Sequence, residues 1–182
     1  MLIDKHFPTV IGTFDCPIDT SGLVSYIERN YKDGGFIHLN IFKEGYMPEL
    51  TRWISRSVNE FAQAHNHKHY YKCTDSWIND YRLNGFQPYH SHQGSVFSLA
   101  LFLEGSENSE PLIFKSPNAI DMKNPMNVVH GQTPNYNEYN IPRVYYKALK
   151  GKMYVFRSYV EHAVDLKKSA DKRIVLSANF DF

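Results

Sequence analysis

Beyond residue 69 the sequence is a series of short apolar or alternating segments separated by polar turns. Such segments predict β-strands, because strands are short and their successive side chains point to opposite faces. Clusters of glycine, serine, aspartate and lysine mark the turns, for example at 104–110, 149–152 and 167–172. Many short strands with tight turns are typical of an all-β barrel or sandwich. Strand candidates lie at 70–82, 95–105, 110–115, 143–149, 152–157, 162–166 and 173–182.

The first third of the chain has a different, helical pattern. Thr20 or Ser21 can begin a helix with an apolar face, and Pro48 can begin a second, stronger one. Apolar residues recur at helical spacing in both segments: Leu23, Val24 and Ile27, then Leu50, Trp53, Ile54, Val58 and Phe61. We therefore expect a single domain, 1–182, in which residues 1–68 supply helical support and a first strand and residues 69–182 form the barrel core.

Residues 116–142 interrupt the strand pattern with a segment rich in asparagine and proline that has no clear period. Loops of this length inside a domain usually have a function. We expect a lid or a substrate-recognition loop here, with Tyr136, Tyr139, Tyr145 and Tyr146 in or beside it.

Charge and cysteine content exclude several classes of protein. The net charge is +1, which argues against a nucleic-acid or anionic-membrane partner. Two cysteines form no disulfide framework. The N-terminal residues do not resemble a signal peptide, and no apolar stretch reaches the roughly 20 residues that span a bilayer. We expect a cytoplasmic protein without a membrane partner.

Two histidines stand one residue apart, immediately before the strongest apolar strand. In an extended chain, residues i and i+2 point to the same face, so His90 and His92 could share one space. Taken alone, the pair could equally be packed, hydrogen-bonded histidines at the rim of the core. The alternating His65, His67 and His69 predict only a solvated connection between a helix and a strand.

Two later residues favour a metal site. His162 precedes a short strand, and Arg173 opens the last strong strand. Imidazoles suit iron, zinc and copper. A buried arginine at the mouth of an apolar strand needs an anion, and its planar fork suits a carboxylate.

This ordered set of residues resembles the Fe(II)/2-oxoglutarate-dependent oxygenases. The resemblance is to small members of that superfamily from marine bacteria and phages, and it rests on "HSHQGSVFSLALFL", "MYVFRSYVEHAV", "RIVLSANF" and the opening "HFPTVIGTFDCPID". It implies a double-stranded β-helix, a jelly-roll or cupin-like barrel, with N-terminal supporting helices. A phage origin would place the protein in the cytoplasm of the host.

The resemblance assigns roles to individual residues. His90 and His162 match the two metal histidines, and Arg173 matches the arginine that binds the far carboxylate of 2-oxoglutarate. His92 stands where the superfamily has aspartate or glutamate: either it ligates the metal, as we predict, or water fills the position. Many members of the superfamily have a serine two residues after the arginine, where this chain has Val175. Ser177 lies on the same face of the strand and could take over part of that role. Asn79 and Tyr81 could hydrogen-bond the cosubstrate or be ordinary strand residues.

The implied cofactors are Fe(II), 2-oxoglutarate as cosubstrate, and O2. The implied reaction hydroxylates a peptide side chain or a small molecule and releases succinate and CO2. Two alternatives remain open from the residues alone. One is a cupin-like three-histidine dioxygenase or isomerase that does not use 2-oxoglutarate. The other is a non-catalytic jelly-roll module in which the histidines are merely packed.

Overall fold

The structure is a computed structural model that describes residues 8–117, 137–138 and 141–182. The described residues form ten strands and two helices. In chain order they are β1 (Ile11–Asp15), α1 (Ser21–Asn30), β2 (Gly35–Ile37), α2 (Pro48–Ala64), β3 (Lys72–Asp80), β4 (Gln87–His90), β5 (Phe97–Glu104), β6 (Leu112–Lys115), β7 (Arg143–Tyr146), β8 (Lys152–Arg157), β9 (His162–Val164) and β10 (Ile174–Asp181).

The strands form two antiparallel sheets. The larger sheet has the order β1-β8-β5-β10-β3-β2, and the smaller has the order β4-β9-β6-β7. From β3 onward the chain alternates between the sheets, except where β6 and β7 pair within the smaller one. This topology confirms the predicted mainly β, double-stranded β-helix fold with N-terminal helices.

Apolar side chains pack on both faces of the larger sheet. One layer joins it to the helices through residues such as Ile27, Leu50 and Ile54. The other layer fills the space between the sheets and includes Phe102 and Phe156. Strand β5 lies between the two layers, which is why its sequence is apolar without alternation.

The structure departs from the sequence expectations in the first third of the chain. In the sequence the Gly34–Gly35 pair favours the end of α1 at that point, but the helix already ends at Asn30. The two glycines instead have φ values of 66° and 86° and lead into β2, a strand that the sequence did not predict. Three residues are too few to display a strand period.

The connection that carries His65, His67 and His69 was wrongly expected to be simply solvated. His65 and His67 are half-buried, and both rings pack near Phe97. The Nδ1 atom of His67 lies 2.6 Å from the hydroxyl of Tyr71. Only His69 of the three is exposed.

Within the described residues, no helix is long and apolar enough to cross a bilayer. Most of the segment 116–142 lies outside the described residues, including the predicted lid residues Tyr136 and Tyr139. Tyr145 and Tyr146 lie on β7. The Tyr145 ring is exposed, whereas the Tyr146 ring packs against Phe114 and Tyr154.

Candidate active site

A cavity of about 210 Å³ lies between the two sheets. All seven residues that the sequence singled out line it: Asn79, Tyr81, His90, His92, His162, Arg173 and Ser177. The larger sheet and the residues next to the ends of its strands supply the polar wall and the arginine. The smaller sheet supplies two of the histidines.

His90 and His162 meet because their strands pair. They are direct partners in the antiparallel register of β4 and β9, and residues that face each other across such a pair have neighbouring side chains. Their ring centroids are 4.2 Å apart. Strand pairing therefore brings together two residues that are distant in sequence.

Backbone carbonyls orient both of these rings. The Nδ1 atom of His90 lies 2.9 Å from the carbonyl oxygen of Pro88, and that of His162 lies 3.0 Å from the carbonyl oxygen of Val160. Since a carbonyl oxygen only accepts, each Nδ1 must carry the proton. In the neutral ring the lone pair is then on Nε2, as a metal ligand requires.

His92 completes the cluster from just beyond the end of β4. Its backbone N–H donates to the carbonyl oxygen of Ser158 at 2.9 Å, and its ring packs against Trp77 with centroids 5.4 Å apart. The Nε2 atoms of His92 and His162 are 3.3 Å apart. One ring nitrogen from each of the three histidines can be chosen so that all lie within 4.8 Å of one another.

The environment keeps the rings of His92 and His162 neutral. Burial, helped by the charge that His90 carries when protonated, lowers the pKa of His92 to about 4 and that of His162 to about 3. Neutral imidazole is the metal-binding form. Three imidazole donors converging on one point fit a borderline ion such as iron, and no carboxylate of the described residues belongs to the cluster.

Arg173 lies in the same cavity, immediately before β10. It is 1% exposed, and its guanidinium carbon lies 4.4 Å from the ring centre of Tyr81 and 5.2 Å from that of Phe102. Its Nε donates to the carbonyl oxygen of Glu110 at 3.2 Å. Its Nη1 has no hydrogen-bond partner among the described residues. A buried cation with an unused N–H group fits a carboxylate ligand.

The remaining predicted residues lie on the wall beside Arg173. The Asn79 side chain donates to the hydroxyl of Ser177 at 3.4 Å across the β3–β10 pair. The backbone N–H of Tyr81 donates to the carbonyl oxygen of Arg173 at 3.0 Å, and burial raises the pKa of the Tyr81 phenol. Val175 also lines the cavity.

Sequence reasoning missed several cavity residues, among them Phe36, Trp77 and Gln87. Trp77 was detectable, because it stands two positions before Asn79 and so shares its face of the strand. Gln87 was not, since an irregularity in the β4–β9 pairing between Gln87 and His90 changes the simple alternation. Phe36 lies on the unpredicted β2.

Solved structures with similar folds include an oxygenase-family oxidoreductase and a prolyl hydroxylase. An oxidoreductase of the 2OG-Fe(II) oxygenase family from Burkholderia pseudomallei has 13% identity to this chain and a TM-score of 0.51. The match covers 70% of this chain and 52% of the oxidoreductase, so this chain spans about half of the length of that protein. The viral collagen prolyl hydroxylase from Paramecium Bursaria Chlorella virus-1, solved with 2OG, has 13% identity and a TM-score of 0.59 over 93% and 94% of the two chains.

A third similar structure has a different activity. SnoN, a non-heme α-ketoglutarate-dependent epimerase from nogalamycin biosynthesis, has 11% identity and a TM-score of 0.61 over 94% of this chain and 78% of that one. At these identities the likeness shows a shared fold. No curated protein matches the sequence.

The sequence itself identifies the family. The family described as "Putative 2OG-Fe(II) oxygenase" matches residues 75–179, which is more than half of the chain. The matched range contains all seven candidate site residues, from Asn79 to Ser177. Its members use Fe(II), 2-oxoglutarate and O2, and the three-histidine cluster fits the iron. The chain belongs to the 2OG-Fe(II) oxygenase family.

Proposed function

We propose that this protein hydroxylates a peptide side chain or a small molecule, with conversion of 2-oxoglutarate to succinate and CO2. The observation that carries the proposal is the unpaired, buried Nη1 of Arg173 in the cavity that also holds three inward-facing histidines. A packed structural histidine cluster would give no reason to bury a guanidinium with an unused donor.

His90, His92 and His162 would hold the iron through ring nitrogens. His92 would replace the carboxylate of the usual two-His-one-carboxylate arrangement, so the bound metal would keep one more positive charge. Bound iron supplies the activation of O2 and the oxidising power for C–H cleavage.

Arg173 would fix the far carboxylate of 2-oxoglutarate, with Tyr81 and Phe102 stacked against its guanidinium. Its planar fork allows a bidentate contact that a lysine could not make. Asn79 and Ser177, on the adjoining wall, would hydrogen-bond the cosubstrate or the substrate. The apolar residues Phe102, Leu112 and Phe156 would keep bulk water from the reaction space.

The whole chain, 1–182, would act as one oxygenase domain in the cytoplasm. Helices α1 and α2 pack on the outer face of the larger sheet and would stiffen the wall that carries Arg173. The charge-balanced composition favours a peptide or small-molecule substrate over a nucleic acid.

The test is cosubstrate turnover. Purified protein with Fe(II), ascorbate and O2 should release succinate from 2-oxoglutarate, and a panel of peptides and metabolites should contain compounds that raise the rate. Mass spectrometry then distinguishes a hydroxylated product, 16 Da heavier, from an isomer of unchanged mass. Arg173→Ala serves as the negative control. Absence of 2-oxoglutarate binding would favour the three-histidine enzyme without this cosubstrate, and absence of metal binding would favour a non-catalytic module.

A further inference from the structure

We propose that Glu110 is the positioning residue that holds Arg173 in its carboxylate-binding orientation. The inference rests on the proposed role of Arg173 toward 2-oxoglutarate. Glu110 lies outside the cavity, in the turn between β5 and β6, and touches neither the histidines nor the cavity space.

The backbone of Glu110 fixes one edge of the guanidinium. Its carbonyl oxygen accepts the Nε–H of Arg173 at 3.2 Å. With Tyr81 and Phe102 against the guanidinium, this bond sets its rotation and leaves Nη1 unpaired among the described residues. Together with the side-chain hydrogen bond between Arg173 and Tyr81, the position of this carbonyl decides where the free N–H groups of Nη1 point.

The side chain of Glu110 fixes the position of that carbonyl. Its Oε1 accepts the backbone N–H groups of Lys168 and Ser169 at 2.6 and 3.1 Å. These two residues belong to the connection that runs from β9, with His162, to β10, which follows Arg173. Glu110 thus holds Arg173 through its backbone carbonyl and holds the loop that precedes Arg173 through its side chain.

The surroundings favour an ionised carboxylate at this position. Burial acts to raise the pKa of Glu110, but backbone N–H donors at Lys168, Glu110 and Ser169 together lower it below its usual value, and the charge of Lys167 adds to their effect. The Lys167 side chain is itself buried, 3% exposed, and donates to the carbonyl oxygen of Ser169 at 2.5 Å. The carboxylate also supplies negative charge near the buried Arg173.

The same two turns have a second link, which provides a matched control. The hydroxyl of Ser106 donates to the carboxylate of Asp171 at 2.5 Å. It joins the β5–β6 turn to the β9–β10 connection as Glu110 does, but Ser106 makes no hydrogen bond to Arg173. Loss of this link tests whether any loosening between the β5–β6 turn and the β9–β10 connection is enough to weaken 2-oxoglutarate binding.

The experiment measures equilibrium binding to the anaerobic Mn(II) form by calorimetry, with two ligands. One is 2-oxoglutarate; the other is 2-oxobutanoate, which has the keto-acid end but lacks the far carboxylate. Glu110→Ala should weaken 2-oxoglutarate binding about tenfold, the size expected for one misaligned hydrogen bond between charged groups. It should change the affinities for 2-oxobutanoate and for Mn(II) less than about twofold. Glu110→Gln, which keeps the acceptor oxygen, should recover most of the loss, and Ser106→Ala should bind both ligands like the parent protein.

Three results would overturn the inference: unchanged 2-oxoglutarate affinity in both Glu110 variants, equal loss for the two ligands, or an equal effect of Ser106→Ala. Should Glu110→Ala not fold, Glu110→Asp takes its place, because a carboxylate one methylene shorter cannot keep both bonds to Lys168 and Ser169 and should still weaken binding of 2-oxoglutarate more than that of 2-oxobutanoate. Failure of the parent protein to bind 2-oxoglutarate would overturn the proposed function itself, which is a separate outcome.

Discussion

The Nε2 atoms of His92 and His162 lie 3.3 Å apart although the residues are 70 positions apart in sequence. The proton of His162 is on Nδ1, where it bonds the carbonyl oxygen of Val160, so its Nε2 offers a lone pair. Either His92 donates to that lone pair or both nitrogens share a cation. The ring of His90 also faces this point, with its centroid 4.2 Å from that of His162. A hydrogen bond between two histidines would need no third ring there, so the arrangement favours a shared cation.

Removing His162 tests the ligand assignment. His162→Ala should lower the affinity for Mn(II) or Fe(II) by more than about 100-fold, since even the residues that support metal ligands commonly change affinity by 10- to 100-fold. Calorimetry and metal analysis of the purified protein measure the effect. His69→Ala is the matched control, because His69 is exposed and lies outside the cluster. Full metal stoichiometry in the His162 variant would rule out this residue as a ligand.

Removing Arg173 separates cosubstrate binding from metal binding. The anaerobic iron protein should develop a weak visible charge-transfer band with 2-oxoglutarate, and Arg173→Ala should abolish the band at moderate ligand concentration while retaining the metal. Arg173→Lys should also fail to restore it, because an ammonium cannot reproduce the planar fork. Arg56→Ala, on the exposed face of α2, is the control. Persistence of the band at unchanged ligand affinity would mean that Arg173 has another role.

Replacing His92 with a carboxylate tests the unusual third ligand. His92→Asp would restore the two-His-one-carboxylate set that commonly binds non-heme Fe(II). Iron affinity should therefore stay equal or rise, whereas His92→Ala should lower it. Both variants lose the packing against Trp77, so a comparison of the two isolates the ligand effect. Equal iron affinity in the parent and both variants would place His92 outside the coordination sphere.

Strand period and turn signals predicted most of the barrel, whereas the roles of the seven candidate residues came from the family resemblance. His90 and His162 could be associated only through the resemblance, since the β4–β9 register that makes them partners is a tertiary fact. Strand β2 and Phe36 were not predictable, because three residues that begin with a glycine show no alternation. Glu110 stands inside a turn signal, where an exposed polar side chain is expected, and only the tertiary structure brings it to Lys168, Ser169 and Arg173.

The two thiols should be chemically inert in the folded protein. Burial, with a contribution from the charge of Asp75, raises the pKa of Cys73 to about 12, and burial also raises the pKa of Cys16. At pH 8 only about one Cys73 in ten thousand would be thiolate, the reactive form. A disulfide reagent such as DTNB should therefore react slowly with native protein and rapidly in denaturant. Fast reaction of either thiol in the native state at pH 8 would contradict these burial effects.

The glycine at the start of the β5–β6 turn should be required for stability. A Cβ atom on Gly105 would overlap the backbone carbonyl oxygen of Ala148, a residue that is fully buried. The segment that contains Ala148 has little freedom to move, because three residues later the backbone N–H of Gly151 donates to the carbonyl oxygen of Phe102 at 2.8 Å. Gly105→Ala should therefore lower the free energy of unfolding by about 1–3 kcal/mol or more. Gly22→Ala is the matched control: no atom lies within 4 Å of its added Cβ, and in helix α1 the change should be neutral or stabilise by up to about 1 kcal/mol. Urea unfolding at constant pH measures both, and equal stability of the two variants would refute the predicted overlap at Gly105.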